Sequence, residues 1–256
     1  MTEDKVVRLT RDGSSSVTRP IAIEAPVAIE IDGIGYAVMM ATPCDLAAFA
    51  RGFALTERLA DAPDDILDVE PFEAEAGWIV RVTLAERCRG RVHDRVRHRT
   101  TDASCGLCGI ASLEQLHRPL PAPPPRPDTA AEAIFAALAA LRAHQPLNAA
   151  TGAVHAAAAC AADGTILAAY EDVGRHNALD KLIGSATPMN GFVLVTSRLS
   201  FEMVDKALVL GTPLIAGVSA PTSMAIDHAR TNGLTLVALA RPDAMLVMND
   251  PWGVLT

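Results

Sequence analysis

Two cysteines, Cys105 and Cys108, stand three positions apart in residues 104–109, Ser-Cys-Gly-Leu-Cys-Gly, and each is followed by glycine. Glycine frees the backbone to adopt positive φ, so the pair is expected on an open loop. Exposed thiolates attack sulfur, accept a sulfur atom, or close onto each other. Just upstream, arginine occupies 87, 89, 91, 95, 97 and 99, with His93 in the gap. Read as an extended strand, this alternation lays a continuous basic stripe along one face. Positive charge near a cysteine favours the thiolate, and guanidinium forks bind phosphate oxygens in pairs. The competing reading is a solvated edge strand guarded against aggregation by its charge.

A second cluster fills residues 171–181, Glu-Asp-Val-Gly-Arg-His-Asn-Ala-Leu-Asp-Lys. Arg175, His176 and Asn177 are expected near a helix N-terminus, a favourable place for an anion. The alternative is a helix cap with surface ion pairs. Residues 197–206, Ser-Arg-Leu-Ser-Phe-Glu-Met-Val-Asp-Lys, have the same character, with Ser197, Arg198 and Ser200 leading the segment. His155 precedes an alanine run and reads as a core histidine. Cys44, Cys88 and Cys160 read as small buried hydrophobes.

The elements that must position these groups fall into two halves. Residues 1–19, with Asp-Gly-Ser-Ser-Ser at 12–16, read as a flexible arm. Strands are expected at 27–31, 35–39 and 78–84, the basic strand after them, and a helix over 44–59 behind the Thr42-Pro43 signal. This first half, 20–118, is α+β. Residues 119–127, Pro-Leu-Pro-Ala-Pro-Pro-Pro-Arg-Pro, form an extended linker. In the second half, 128–256, Thr129 and Glu132 suggest a capping box opening a helix to about residue 144. Strands at 154–160 and 165–170 flank the turn signal at 162–164. Helices at 177–183, 201–210 and 223–231, each ended by glycine, alternate with strands at 192–196, 213–218 and 234–240, with a last strand possible at 245–248. That alternation is α/β with several parallel neighbours. Its ligand loops gather beyond the strand C-termini, where 197–200, 220–223 and Arg241 crowd.

Length and composition agree with a soluble globular protein. The chain has 256 residues, half of them hydrophobic, and a net charge of -8. No apolar run approaches the roughly 20 residues needed to cross a bilayer, and the polar N-terminus is unlike a signal peptide. Five cysteines without framework spacing point to a reducing, cytoplasmic setting. The acidic balance argues against nucleic acid as a partner, and nothing suggests a membrane. Arginine outnumbers lysine 19 to 3, which reflects genomic composition more than mechanism.

Taken in order, Cys-Gly-Leu-Cys-Gly, Thr-Gly-x-x-His-Ala-Ala-Ala, the residue 171–184 block, Ser-Arg-x-Ser-Phe-Glu-Met-Val-x-Lys-Ala and Ser-Ala-Pro-Thr resemble the FdhD-type formate dehydrogenase accessory sulfurtransferase family, over about residues 20–250. The resemblance implies a sulfur carrier that takes persulfide sulfur from a cysteine desulfurase. It implies delivery to a molybdenum (or tungsten) bis(molybdopterin guanine dinucleotide) cofactor bound as substrate, before insertion into the formate dehydrogenase catalytic subunit. Cys105 matches the persulfide cysteine and Cys108 the auxiliary one. A homodimer, no tightly held metal, and a second domain of cytidine deaminase fold without its zinc site are also implied. The cofactor-contacting segment of the family maps onto Ala244, Met245, Leu246, Val247, Met248 and Asn249. There the chain departs from the family's aromatic pair and tyrosine.

Four alternatives stand against this. A zinc site could draw on Cys88, His93, His98, Cys105 and Cys108, but structural zinc usually brings two tight pairs. A zinc deaminase needs His-x-Glu and a downstream Cys-x-x-Cys, whereas Ala156 and Ala157 follow His155 and the cysteine pair lies upstream. A thiol–disulfide oxidoreductase needs both loop thiols. A cofactor-binding chaperone without sulfur chemistry needs neither.

Overall fold

A computed structural model of the chain describes residues 1–93, 120 and 122–256. Twelve strands among the described residues form three sheets. Strands β1 (Thr2–Thr10) and β2 (Gly13–Ile21) make a separate antiparallel hairpin. The arm expected over 1–19 is therefore a regular ribbon, turned by the two residues Arg11 and Asp12, and almost all of it is exposed.

The first body sheet has the order β4-β3-β6-β5, built from β3 (Ala25–Ile31), β4 (Ile34–Ala41), β5 (Ile66–Ala74) and β6 (Gly77–Leu84). Val27, Ile29, Ile31, Val80 and Val82 line its buried face at the two-residue strand period. Helix α1 (Leu46–Thr56) covers that face. Strand β5, rich in acidic residues and holding Pro71, has weak alternation and was not expected from the sequence.

The basic strand expected after β6 is instead a helix, α2 (Glu86–His93). Cys88 and Val92, one helical turn apart, are both buried. That pair at helical spacing outweighs the alternation of the arginines. Side chains on the helix diverge, so no stripe forms over these residues. Arg87 pairs with Asp65 at 2.6 Å, Arg91 with Asp61 at 2.6 Å, and Arg89 lies 3.9 Å from Asp32. Residues 95, 97 and 99 lie outside the described residues.

The second body sheet has the order β12-β11-β10-β9-β7-β8. It comprises β7 (His155–Ala161), β8 (Ile166–Asp172), β9 (Gly191–Val195), β10 (Leu214–Gly217), β11 (Thr235–Ala238) and β12 (Leu246–Asn249). Only β9, β10 and β11 run parallel to one another; the other pairings are antiparallel. Helix α3 (Ala131–Leu141) packs on one face, where Phe192 and Leu194 point. Its N-cap is Ala130, and the hydroxyl of Thr129 is buried without a hydrogen-bond partner among the described residues, so the expected capping box is not made. A short helix, α4 (Pro146–Thr151), follows, with the Glu171 carboxylate accepting from the backbone N–H groups of Leu147 and Asn148.

On the other face lie α5 (Arg175–Gly184), α6 (Phe201–Leu210) and α7 (Ser223–Asn232). The two halves, separate in sequence at 119–127, share one core in space: α1 packs on β5 and β6 and also on α5 and α6. Glycines make the closest approach possible. A Cβ on Gly52 would enter the Asp180 carbonyl, and one on Gly184 the Ala48 carbonyl. Gly184, expected as the helix stop, is the last residue of α5 and also a packing residue.

Gly52→Ala is expected to lower unfolding free energy by about 3 kcal/mol, the upper range for overpacking, because backbone must shift. Gly90→Ala, on α2 with open space at its Cβ, should raise it by roughly 0.5–1 kcal/mol. Urea unfolding of the two variants checks the pair.

Candidate functional site

The strand directions decide where the polar loops meet. Strand β7 begins at the edge where β8, β9, β10 and β11 end, because β7 runs antiparallel to β8 and β9. His155, the start of α5, residues 196–200, residues 218–222 and residues 239–245 therefore share one edge of the sheet. Backbone bonds tie the loops together: Leu199 donates to the Ala220 carbonyl, Thr222 to the Leu199 carbonyl, and Leu239 to the Ser219 carbonyl. Gly217 faces the side chain of Leu199 at a distance that excludes a Cβ.

Two helices start at this edge without a side-chain cap, α5 behind Gly174 and α6 behind Ser200. Their first N–H groups offer partial positive charge. Arg175 and Arg198 flank these starts, and both act on His155, whose pKa is lowered by partial burial and by the two guanidiniums. His176 lies behind them, buried, and its pKa is pushed down to about 3 by burial first, then by Lys206 and Arg175. Both imidazoles are therefore neutral near pH 7, and the arginines hold the positive charge. His176 Nε2 and Ser200 Oγ have no hydrogen-bond partner among the described residues. The Ser197 hydroxyl donates to the Arg198 carbonyl. Such an edge can bind an anionic, hydrogen-bonding ligand.

Asn177 faces inward: its amide donates to the Met40 carbonyl and to Asp172. The ion pairs of residues 171–181 are buried, where the sequence reading allowed only surface pairs. Lys181 and Asp172 meet at 2.7 Å with no side-chain exposure. Asp180 pairs with Lys206 and accepts from Thr56, linking α5 to α6 and α1. The signal was available, since Asn177, Asp180 and Lys181 recur at helical spacing between Ala178, Leu179, Leu182 and Ile183.

Residues 244–249 run from the site edge into β12. Ala244 and Leu246 are exposed, and Val247 is half-buried. Met245 packs on the α3 side of the sheet, Met248 on the other core, and Asn249 donates to the carbonyls of Leu234 and Ala229. His155, read as a core residue, is half-buried at the edge beside both arginines, and its place depends on the β7 direction, which periodicity does not reveal.

Cys105 and Cys108 lie outside the described residues, as do His98 and the cysteine loop as a whole. Of the other cysteines, Cys88 and Cys160 are buried as expected, and burial pushes the Cys160 thiol up to about 12. Cys44 is exposed, contrary to the expectation, because it precedes α1 on the surface. Partial burial of its sulfur nevertheless raises its pKa, against the opposing pull of Lys181 at 3.6 Å. Cys88 Sγ lies near the carboxylates of Asp61 and Asp65, but those carboxylates already hold arginines.

The fold defines a two-part α+β protein whose second sheet carries the candidate site at one edge. The FdhD/NarQ family model matches residues 22–254, and the chain belongs to the FdhD/NarQ family. It is 44% identical over 237 residues to a protein of Variovorax paradoxus named sulfur carrier protein FdhD, covering 91% of this chain and 85% of that one. A protein of the same name from Chromobacterium violaceum is 46% identical over 244 residues, covering 90% and 88%. The crystal structure of a protein described as a formate dehydrogenase accessory protein, from Desulfotalea psychrophila, superposes with a TM-score of 0.79 at 26% identity, covering 99% of each chain.

His176 makes stability depend on acid. The unfolded chain takes up a proton near the ordinary value of 6.5, whereas the folded chain resists until about 3. Its contribution is full above 6.5 and is lost as pH falls toward 3. Between pH 7 and pH 5, unfolding free energy should drop by about 2 kcal/mol more in the parent than in His176→Gln, as measured by urea unfolding.

Proposed function

We propose that the chain is a sulfur carrier in formate dehydrogenase maturation, with Cys105 as the sulfur-bearing thiol. The Cys105 thiolate attacks the outer sulfur of a cysteine desulfurase persulfide. The donor S–S bond breaks, the donor leaves as thiolate, and Cys105 holds the persulfide. Cys108 serves as an auxiliary thiol. Persulfide is a reversible cap, so the carrier reloads after each delivery. The observation that carries this reading is the distribution of cysteine environments. Among the described residues, Cys88 and Cys160 are sealed in the core and Cys44 is held protonated. We therefore place the carrier thiol in the Gly-flanked pair, and the sulfur carrier name of the relatives supports the carrier role.

The acceptor is the molybdenum or tungsten bis(molybdopterin guanine dinucleotide) cofactor, bound as substrate before it passes to the formate dehydrogenase catalytic subunit. Its pyrophosphates fit the site edge by charge. Arg175 and Arg198 supply guanidiniums, two uncapped helix starts supply N–H groups, and Ser200 Oγ supplies an unused hydroxyl. The neutral imidazole of His155 can donate or accept without adding charge.

Loading with a cysteine desulfurase and cysteine, followed by peptide mapping without reductant, tests the carrier step. One extra sulfur on the Cys105 peptide, removed by reductant, is the expected result. Cys105→Ala should abolish formate dehydrogenase activation, and Cys108→Ala should retain it in part. An unloaded Cys105 found in a disulfide with Cys108 would favour the oxidoreductase reading. For the acceptor step, guanosine diphosphate serves as the probe: Arg198→Ala should weaken its binding about tenfold, the size of one charge-assisted contact. Unchanged binding would remove the edge from the cofactor site.

A further inference from the structure

A cavity of about 910 Å³ opens at the edge of the second sheet opposite the candidate site. Its walls are residues 126–130, the turn at 162–163 and residues 253–254. Strand direction puts it there. Strand β7 starts at His155 on the site edge and ends at Ala161, and β12 leaves the site edge and ends at Asn249. The volume is that of a small-ligand pocket, a class spanning roughly 300–1,000 Å³.

The chain enters α3 along this wall in an extended run. Arg126, Asp128 and Ala130 are exposed while Pro127 and Thr129 are buried, the alternation of an extended segment. Pro127 fixes its own φ and keeps the residue before it extended. Arg126 and Asp128 therefore stand on one side of the run, about 7 Å apart along it. Their charges are opposite, yet neither side chain has an ion pair or hydrogen bond among the described residues.

Thr129 is 3% exposed, and its hydroxyl has no partner among the described residues. A threonine just before a helix ordinarily spends that hydroxyl on the first N–H groups. Here the N-cap is Ala130, so α3 begins without a side-chain cap and the hydroxyl stays unspent. A buried hydroxyl without a partner costs free energy, and a ligand in the cavity that Thr129 lines would recover it. The other wall carboxylate, Asp163, already accepts from the Thr165 N–H at 2.8 Å. Glu132, the acidic residue in the first turn of α3, is not a wall residue.

Opposite charges that share a wall and do not pair select a ligand that carries both signs. Their spacing selects its size. The ammonium nitrogen and carboxylate carbon of a single α-amino acid are about 2.5 Å apart, whereas those of an extended dipeptide are about 6 Å apart. We infer that this cavity binds a short zwitterionic peptide of dipeptide size, with its carboxylate at Arg126 and the Thr129 hydroxyl and its ammonium at Asp128. The guanidinium, the hydroxyl and the uncapped start of α3 all suit a carboxylate. The inference is independent of the proposed sulfur transfer, because this cavity and the edge that carries Arg198 lie at opposite ends of the strands.

Calorimetric titration of the full chain with alanyl-alanine tests it, beside alanine, N-acetyl-alanyl-alanine and alanyl-alanine amide. Alanyl-alanine should bind at one site with a Kd of about 1 mM or below. Blocking either end, or shortening the ligand to alanine, should weaken binding about tenfold, the size of one charge-assisted contact. Arg126→Gln should erase the difference between the dipeptide and its amide while keeping that between the dipeptide and its acetyl form. Asp128→Asn should do the reverse. Both residues are exposed, so both variants should fold as the parent does. No saturable heat up to about 10 mM alanyl-alanine overturns the inference. So does equal binding of the free and blocked forms, or a preference for free ends that neither variant changes. Alanine binding as tightly as alanyl-alanine overturns the dipeptide size.

Discussion

The carboxylate of Asp172 and the ammonium of Lys181 meet where the two halves of the chain join, and neither touches solvent. Removing both charges from water costs several kcal/mol per ion, so the pair is tolerable only if every remaining valence is met. It is. Oδ1 accepts from the Gly174 N–H and the Asn177 amide, and Oδ2 from the Thr42 N–H and Lys181. Lys181 also donates to the carbonyls of Thr42 and Glu171. Such a saturated pair adds little net stability relative to apolar packing. Its effect is on register, because Thr42 follows β4 in the first half while the other groups belong to β8 and α5. A shift of the halves by one residue would leave a buried charge unpaired.

That register governs the site. Helix α5 is pinned at Asp172, packed against α1 through Gly52 and Gly184, and held to α6 by Asp180 and Lys206. With α5 fixed on three sides, its N-terminus can stop only at the edge where β8 ends, which sets Arg175 beside His155. Helix α6 is placed by the second pair, which brings Ser200 and Arg198 to the same edge. The buried polar groups of residues 171–181 are thus the frame, and the groups that could meet a ligand are the few that the frame leaves at its margin.

Much of the second half was legible in the sequence, because each helix and strand there carries both its period and its stop. Gly211 and Gly233 end α6 and α7 in the left-handed conformation that glycine favours. The Asp163-Gly164 turn joined β7 and β8 as read. Other features were hidden for physical reasons. The arginines at 87, 89 and 91 imitate a strand, while Cys88 and Val92 hold the helical signal with only two residues. Glu132 looked like half of a capping box, but a box needs Thr129 at the cap, and the chain enters the helix one residue later. The burial of Asp172 and Lys181 depends on contacts with Thr42, about 130 residues away in sequence, and no local pattern encodes that. The site edge was partly legible: Arg175, Arg198 and Ser200 do converge, while Asn177 serves the frame.

Charge distribution bears on the anion site proposed for that edge of an acidic chain. With a net charge of -8, acidic groups are available to occupy most cations. Arg87, Arg91 and Arg58 are paired with Asp65, Asp61 and Asp205, which takes the α2 arginines out of competition for phosphate. Arg198 forms no ion pair among the described residues. Its field adds to that of Arg175 and two helix N-termini on a chain of net charge -8, and such local contrast is what steers an anionic ligand in the proposed site. Asp172 could spoil this, since its carboxylate sits at the start of α5 and accepts the Gly174 N–H. Lys181, in the second turn of α5, offsets that charge at 2.7 Å. The pair that sets the register thus also neutralises the carboxylate at the N-terminus of α5, so the fold and the proposed site place the same demand on residues 172 and 181.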